Sequence, residues 1–164
     1  MIEPDFLPLR PGLRLDYEVR RAGELRRLVV AHSAGERGGV LVRRTWTATD
    51  GSVEMDASRA EVRLDGVYFD GELILPCPAR PGAGWSRPPR SYRVEACDAV
   101  AETPAGRFPG CLRVAYLIAA GDGGSGERLY APGIGLAREV CGDEADPYEV
   151  RLTAVSLPPA EAAK

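Results

Sequence analysis

The feature that most constrains the fold is an alternation of apolar and polar residues that is broken at short intervals by turn dipeptides. From Leu13 to Arg20 every second residue is apolar and those between are charged. A period of two predicts strands with one buried face and one solvent face. The turn dipeptides Ala22-Gly23, Asp50-Gly51, Asp65-Gly66 and Asp70-Gly71 follow such segments, and residues that tolerate positive φ favour tight hairpins. The sequence therefore predicts antiparallel strands in chain order.

Two hairpins dominate the second half of the chain. Residues 92–100 and 111–118 are the arms of the first, which turns at Thr103–Gly106. Residues 128–131 and 134–140 are the arms of the second, around a Pro-Gly pair suited to the centre of a type II turn. About ten strands are predicted in all, with no amphipathic helix of three turns.

This strand count predicts an all-β fold that is closed or nearly closed. An open flat sheet of about ten strands would leave two aggregation-prone edges, so an antiparallel meander forming a closed or half-open barrel is expected, with a two-sheet β-sandwich as the alternative. A chain of 164 residues with 45% apolar residues can bury one core. We predict a single β domain over 1–157 and a flexible C-terminal tail over 158–164.

Two irregular segments interrupt the strands. The proline-rich stretch Pro76–Trp85 is expected to lie over the surface or plug one end of the fold, with Trp85 as its anchor in the core. The glycine-rich stretch 121–126 is predicted to be a flexible connector.

Composition excludes several classes of partner. The net charge is −3 and the pI about 5.3, so no basic field favours nucleic acid. The sequence contains no run of 18 apolar residues, so no membrane span is predicted. Residues 1–6 do not resemble a signal peptide. A cytoplasmic location is predicted, with a periplasmic one as the alternative if a signal peptide has been removed.

The cysteines Cys77, Cys97, Cys111 and Cys141 are too far apart for a Cys-x-x-Cys metal site. Reduced, packed thiols are expected in the cytoplasm. The alternative is a disulfide between Cys97 and Cys111, because folding the first hairpin about its turn brings them nearly opposite each other.

Catalytic patterns are missing from the sequence. Its single histidine, His32, ends a predicted strand without a Gly-x-Ser-x-Gly elbow. The glycine-rich loops lack the lysine of a phosphate cradle. We therefore predict no enzyme activity, no cofactor and no metal. Carboxylate chemistry would need two converging acids in a cleft, and pairs such as Glu54 with Asp56 occupy wet-face or turn positions.

Aromatic residues and one arginine from each of three Arg-Arg pairs are the candidate contacts for a ligand or partner. The arginines fall on the predicted solvent face, where they could bind a phosphate or an acidic partner. The alternative is that they form ion pairs with Asp16, Glu18 or Glu24 across strands. The candidates are Trp46, Trp85, Tyr130, Arg20, Arg27 and Arg43.

Four landmarks carry a resemblance to known proteins: Phe6–Gly12, Leu75–Trp85, Thr103–Val114 and Tyr130–Leu136. In order and spacing they resemble a diffuse set of bacterial proteins, many of them exported or lipoproteins, built on one antiparallel β domain. The resemblance implies a fold and supplies no catalytic residue.

Two functional hypotheses follow. The first is a non-enzymatic interaction or assembly module with a protein partner or a second copy of itself. The second is a carrier for a small apolar ligand, held in a barrel cavity that the loop Pro76–Pro89 closes. A core filled by aromatic side chains would leave no such cavity; the residues in question are Trp46, Tyr68, Phe69, Trp85 and Tyr116.

Overall fold

A computed structural model describes residues 5–121 and 123–158, and these form one antiparallel β-sheet. Its strands are β1 (Arg14–Arg21), β2 (Glu24–Ala34), β3 (Val40–Thr47), β4 (Val53–Arg63), β5 (Gly66–Phe69), β6 (Glu72–Pro76), β7 (Gly84–Arg87), β8 (Arg90–Thr103), β9 (Gly106–Ile118), β10 (Gly124–Ala131), β11 (Gly135–Cys141) and β12 (Tyr148–Ser156). One short 3-10 turn, Glu36–Gly38, joins β2 to β3.

The sheet is a meander nearly closed into a barrel. Its spatial order is β6-β5-β4-β3-β2-β1-β12-β11-β10-β9-β8-β7, so the first and last strands pair in the middle and the two edges belong to β6 and β7. Across that seam Arg87 Nη2 donates to Glu72 Oε2 at 2.6 Å. The all-β meander and the near-closed barrel are confirmed. The sandwich alternative is wrong, because the described strands make a single sheet.

The strand boundaries differ from the prediction in two places. Gly84–Arg87, placed in the proline-rich loop by its sequence, is a strand that pairs with β8. The second is Val53–Arg63, which forms one continuous strand, β4. There are twelve strands in the described part of the chain, against about ten expected.

Two of the four predicted turn dipeptides, Ala22-Gly23 and Asp70-Gly71, form two-residue turns, whereas Asp50-Gly51 lies in a longer loop and Gly66 is the first residue of β5. Ala22 and Gly23 have φ values of 52° and 76°, and Asp70 and Gly71 have 51° and 81°. Positive φ at both central positions is the type I′ geometry, whose twist matches that of the flanking strands. The glycine-rich stretch is different: its last three residues, 124–126, are part of β10 and not a flexible connector.

The segment before β1 crosses one end of the barrel. The Gly133 amide, in the turn between β10 and β11, donates to the Asp5 carbonyl at 2.7 Å, and the Gly12 amide donates to His32 at 2.8 Å. Phe6 is buried among core residues that include Leu75. This crossing segment covers one end, while the opposite end carries the β1–β2 and β3–β4 turns.

The long β8–β9 hairpin bends toward β12. Of three register shifts between Val94 and Ala101, two put an extra residue into β8 and the third puts one into β9, and such bulges increase bending and twist. At the tip, the Ala105 amide donates to the Leu152 carbonyl at 3.1 Å.

The same bulges decide the cysteine pairing. They place Ala99, not Cys97, opposite Cys111. Cys111 is fully buried, Cys97 is exposed, and both thiols are free, as are Cys77 and Cys141. The alternative of a Cys97–Cys111 disulfide is therefore wrong in this structure, because the expected register ignored the inserted residues.

Two sequence predictions concern the chain ends and membranes. The predicted tail lies outside the described residues except for Pro158. In residues 5–121 and 123–158 there is no helix with the length and apolar character to cross a membrane.

Candidate functional site

The barrel contains a central, partly open cavity of about 510 Å³. Strands β1, β2 and β12 supply an apolar wall that contains Leu15, Leu28, Val30 and Val150. A second cavity, of about 420 Å³, extends toward the end of the barrel that the crossing segment leaves uncovered. The two cavities share four lining residues, so they adjoin; these are Leu28, Leu136, Glu139 and Val150.

A polar wall faces the apolar one across β3, β4 and β5. Arg44 donates to Ser58 Oγ at 2.6 Å and to Asp56 Oδ1 at 2.5 Å. Asp70 accepts the Arg59 amide at 2.9 Å, and this bond lowers the pKa of the Asp70 carboxyl. Phe69 lines the same cavity between these groups. The interior is therefore amphipathic, with apolar and charged surfaces on different strands.

The most deeply buried charge is Glu139 of β11, whose side chain is 6% exposed. Its Oε2 accepts the hydroxyls of Tyr116 at 2.7 Å and Tyr148 at 3.0 Å. Arg90 Nη1 lies 3.6 Å from Oε2, and Arg128 Nε lies 3.2 Å from Oε1. Buried carboxylates need such partners, because an unpaired charge in a low-dielectric interior is very costly.

Aromatic rings support the two arginines from the other side. The Arg90 guanidinium lies 4.6 Å from the Tyr116 ring centroid, and that of Arg128 lies 5.3 Å from the Tyr92 ring. Cation–π contact is strongest where water is excluded. Trp85 stacks on Tyr92 at 5.2 Å between centroids, which extends the aromatic layer toward the seam.

Gly126 makes room for this cluster. A Cβ at this position would lie 2.1 Å from Tyr116 Cζ and 2.3 Å from its hydroxyl oxygen. No side chain other than hydrogen fits under the ring. The glycine therefore positions the Tyr116 hydroxyl on Glu139.

Burial keeps the tyrosines of the interior protonated. It raises the pKa of Tyr116 and Tyr148, and the nearby Glu139 charge raises both further. Burial also raises the pKa of Tyr17 and Tyr130. These hydroxyls therefore act as hydrogen-bond donors; Tyr17, for example, donates to the Leu136 carbonyl at 2.6 Å.

His32 lines the central cavity and is 7% exposed. Its Nδ1 is buried without a hydrogen-bond partner. Burial lowers its pKa, so the ring is neutral at pH 7 and can offer one donor and one acceptor. The acidic and basic side chains that line the cavity are not arranged around His32 as a catalytic nucleophile and base would be.

The predicted contact residues divide between the interior and the outer face. Trp46 and Tyr130 line the two cavities, and Trp85 packs against the adjoining core. Trp46 and Phe69 border open space and do not fill it. The three arginines, Arg20, Arg27 and Arg43, are exposed. Their predicted acidic partners pair elsewhere: Asp16 with Arg14, Glu18 with Arg151 and Glu24 with Arg26.

Sequence reasoning missed the Glu139 cluster because of a bulge. Counting by twos from Leu136 places Arg138 inside the barrel and Glu139 outside. A register shift pairs Tyr130 with Leu136 but Leu129 with Arg138, so Ala137 is an extra residue that reverses the alternation. The available signal was the sequence Gly133-Ile134-Gly135 with its two glycines, which permits such an irregularity without locating it.

The chemistry available is binding through arginines, tyrosine hydroxyls and a neutral imidazole. Within the ranges that the structure describes, no three His, Cys, Asp or Glu side chains converge as a metal site requires. The predictions of no metal and no cofactor stay predictions.

The fold and interior define a near-closed antiparallel β-barrel with a charged aromatic cluster beside an amphipathic cavity. Two solved structures share this fold. A protein from Bacteroides fragilis, provisionally described as exported and as having a YmcC-like fold, matches with a TM-score of 0.61 and 17% identity over 94% of this chain and all of its own. A protein from Parabacteroides distasonis, provisionally described as a lipoprotein, matches with a TM-score of 0.55 and 14% identity over 95% and 100%.

These likenesses show the fold, which is YmcC-like, and confirm the predicted similarity to bacterial exported proteins and lipoproteins with one β domain. No protein-family model matches the chain, and no curated protein matches it.

Proposed function

We propose that this protein is a non-enzymatic binding protein that holds a small amphipathic molecule inside its barrel. The observation that supports this most directly is the pair of adjoining cavities of about 510 and 420 Å³. Pockets for small organic ligands have volumes of about 300 to 1,000 Å³ and combine apolar walls with a few placed polar groups. A barrel of this size has room for a ligand only if its side chains leave the centre open.

The distribution of side chains favours an amphipathic ligand over the purely apolar one that the sequence suggested. Leu15, Leu28 and Val30 offer an apolar surface. Buried polar groups lie on the facing strands, among them the unpartnered His32 Nδ1. A ligand without polar atoms would leave that nitrogen unsatisfied, which costs about 1 to 3 kcal/mol per buried group.

Access is available from the end of the barrel where the second cavity is lined by Arg21 and Asp146. These two residues form a hydrogen-bonded ion pair at half-exposed positions. Surface pairs of this kind contribute about 0 to 1 kcal/mol, so they present a weak barrier to a ligand. The crossing segment covers the other end.

Native mass spectrometry and calorimetry with amphiphiles test the proposal. Decanol and decanoic acid should bind with one molecule per chain. Blocking the cavity with Val30→Phe should abolish binding while the protein stays folded. The matched control is Val29→Phe, whose side chain points to the opposite face of β2. Binding that survives Val30→Phe, or no binding of any amphiphile, would contradict the proposal.

A second candidate, the interaction module, is favoured by exposed apolar side chains on β4 and at its end. Val53, Met55 and Val62 are 56%, 62% and 67% exposed, and Leu64 is fully exposed at the β4–β5 turn. Light scattering after size exclusion should then show a dimer or larger species that Val62→Ser with Leu64→Ser converts to a monomer. A monomer before substitution would count against self-association.

The place of action is part of the proposal. The fold relatives described as exported or as a lipoprotein support a role outside the cytoplasm, whereas the sequence predicts the cytoplasm. Fractionation of the native host with an antibody against the chain would distinguish the two.

A further inference from the structure

The charges buried in the barrel do not balance. Besides Glu139, three arginines have side chains that are at most 24% exposed: Arg44 at 24%, Arg90 at 23% and Arg128 at 16%. Arg44 is matched by Asp56. The remaining two guanidinium groups share one carboxylate, so the cluster of Arg90, Arg128 and Glu139 carries a net charge of +1 on side chains that are 23%, 16% and 6% exposed. Such an excess is costly unless an anion joins it.

Besides Glu139, the acidic side chains that line the central cavity are Asp70 and Glu72, both at its rim; Glu54, Asp143 and Asp146 line the adjoining second cavity. The Glu72 side chain is 64% exposed and paired with Arg87. Asp70 is exposed and accepts the Arg59 amide. Water screens charges in such positions, so neither carboxylate neutralises the buried arginines.

Arg128 is the most buried arginine that lines the central cavity, and its Nε is one of three buried arginine Nε atoms without a hydrogen-bond partner in the described part of the chain, with those of Arg26 and Arg138. The Arg128 Nε lies 3.2 Å from Glu139 Oε1, but the geometry is not that of a hydrogen bond. Its guanidinium rests against the Tyr92 and Tyr116 rings. It lines the central cavity as well as the cleft at the β6–β7 seam. Arginine presents five donors in a planar fork, which suits the two oxygens of a carboxylate.

We propose that the ligand is an amphipathic monocarboxylate whose acid group binds Arg128 and whose apolar part lies against Leu15, Leu28 and Val30. The inference rests on the proposed function and specifies its ligand class. A single negative charge matches the net charge of the cluster. Apolar residues line the cavity beyond Arg128, and they would contact a hydrocarbon chain.

Matched probes test the head group. Decanoate and decanol have the same chain and differ in charge at pH 7. Calorimetry on the full chain should give roughly 10- to 100-fold tighter binding of decanoate, which is the range for a hydrogen bond to a charged group. Arg128→Met should remove that preference and leave decanol binding unchanged. Arg128→Lys keeps the charge but loses the fork, so it should retain only part of the preference.

Arg138→Met is the matched control, because Arg138 lies on the same hairpin, points out of the barrel and pairs with Glu149 at 3.3 Å. It should change neither affinity. If circular dichroism shows that Arg128→Met does not fold, Arg128→Lys alone tests whether Arg128 binds the acid group.

Three results would overturn the inference in different ways. Equal binding of decanoate and decanol by the unmodified protein would reject the anion site and leave the proposed function standing. A preference for decanoate that persists in both Arg128 variants would reject Arg128 as the contact. Tighter binding of decyl phosphate than of decanoate would reject the monocarboxylate. Binding of none of the three probes would instead reject the proposed function itself.

Discussion

Two walls of the barrel differ in how their interior side is filled: one is packed with side chains and the other borders the cavity. The packed wall, made by β8 to β11, fills its interior side with rings, paired charges and aliphatic side chains, of which Val94, Leu112 and Val114 are at 1% exposure or less. The open wall, made by β2 to β5, borders the central cavity, with Val30 and Ser58 among the side chains that line it. Tight packing on one side therefore fixes the shape of the space on the other.

The difference originates in side-chain volume and strand length. Strands β8 and β9 have 14 and 13 residues, whereas β5 and β6 have four and five. Long hairpins hold many neighbours in register, and protein interiors packed to crystal density tolerate little change in volume. The short strands beside the seam cover less of the interior. Substitutions that are matched between the walls should therefore have unequal effects.

The largest effect is expected at Glu139. Glu139→Gln leaves Arg90 and Arg128 buried without a compensating charge, which should lower the free energy of unfolding by about 3 kcal/mol. Urea denaturation measures this change. Glu149→Gln is the control, because Glu149 is 33% exposed and bridges Arg138 and Arg151 near the surface; its effect should stay below about 1 kcal/mol. Similar losses for the two variants would show that Glu139 in the buried cluster contributes no more to stability than a carboxylate near the surface.

Gly126→Ala should be the next most damaging change. The new methyl group would overlap Tyr116, at 2.1 Å from Cζ, and displace its hydroxyl from Glu139. Overpacking of this kind costs about 1 to 3 kcal/mol. Gly39→Ala is matched in chemistry, and its nearest atom, the Ala60 carbonyl oxygen, is at 3.4 Å. Thermal unfolding should show a clear drop for the first and little change for the second. Equal melting temperatures would contradict the fit of Tyr116 over Gly126.

Enlarging one valine on each wall compares them directly. Val114→Phe on the packed wall should destabilise by about 2 kcal/mol, because this side chain is 1% exposed and packed in the core. Val30→Phe on the open wall can extend into the cavity and should change stability by less than about 0.5 kcal/mol. Chemical denaturation of both variants is the measurement. A large loss from Val30→Phe would mean that the cavity does not accept a ring.

The smallest effect concerns His32 on the open wall. Its pKa is lowered in the folded state by burial, so the unfolded chain binds more protons as the pH falls below about 6.5. His32 therefore contributes stability that is present above that pH and lost as the pH falls through the folded pKa. His32→Gln should flatten the loss of stability between pH 7 and pH 5.

Three carboxyl groups with lowered pKa values should not contribute to the change in stability between pH 7 and pH 5, so they serve as the internal control. The pKa values of Asp50, Asp70 and Asp146 are lowered, so their folded forms titrate below this window. An unchanged pH slope in His32→Gln would show that another group carries the dependence.

Regular positions of the barrel could be read from the sequence. The alternation in Leu13–Val19 locates a strand and its buried face, and dipeptides such as Asp70-Gly71 locate tight turns, because both properties depend on neighbouring residues. Trp46 and Tyr130 were singled out as candidate contacts for a ligand or partner, and the structure places both at the cavities. Their role as ligand contacts stays a prediction.

The candidate site depended on irregular positions. The bulge at Ala137 turns Glu139 inward, and the bulges in β8 move Cys97 away from Cys111. A bulge shifts every later side chain to the other face, and its location is decided by pairing between distant strands. Local pattern cannot supply that information.

By itself the sequence determined that this chain forms strands with alternating faces joined by tight turns, since the preferences of its residues for extended backbone and tight turns are local. Only the tertiary structure decided that β1 pairs with β12 and that Arg90, Arg128 and Glu139 meet inside the barrel. Those outcomes depend on the volumes, charges and register of strands far apart in the chain, which act on one another only once the sheet has formed.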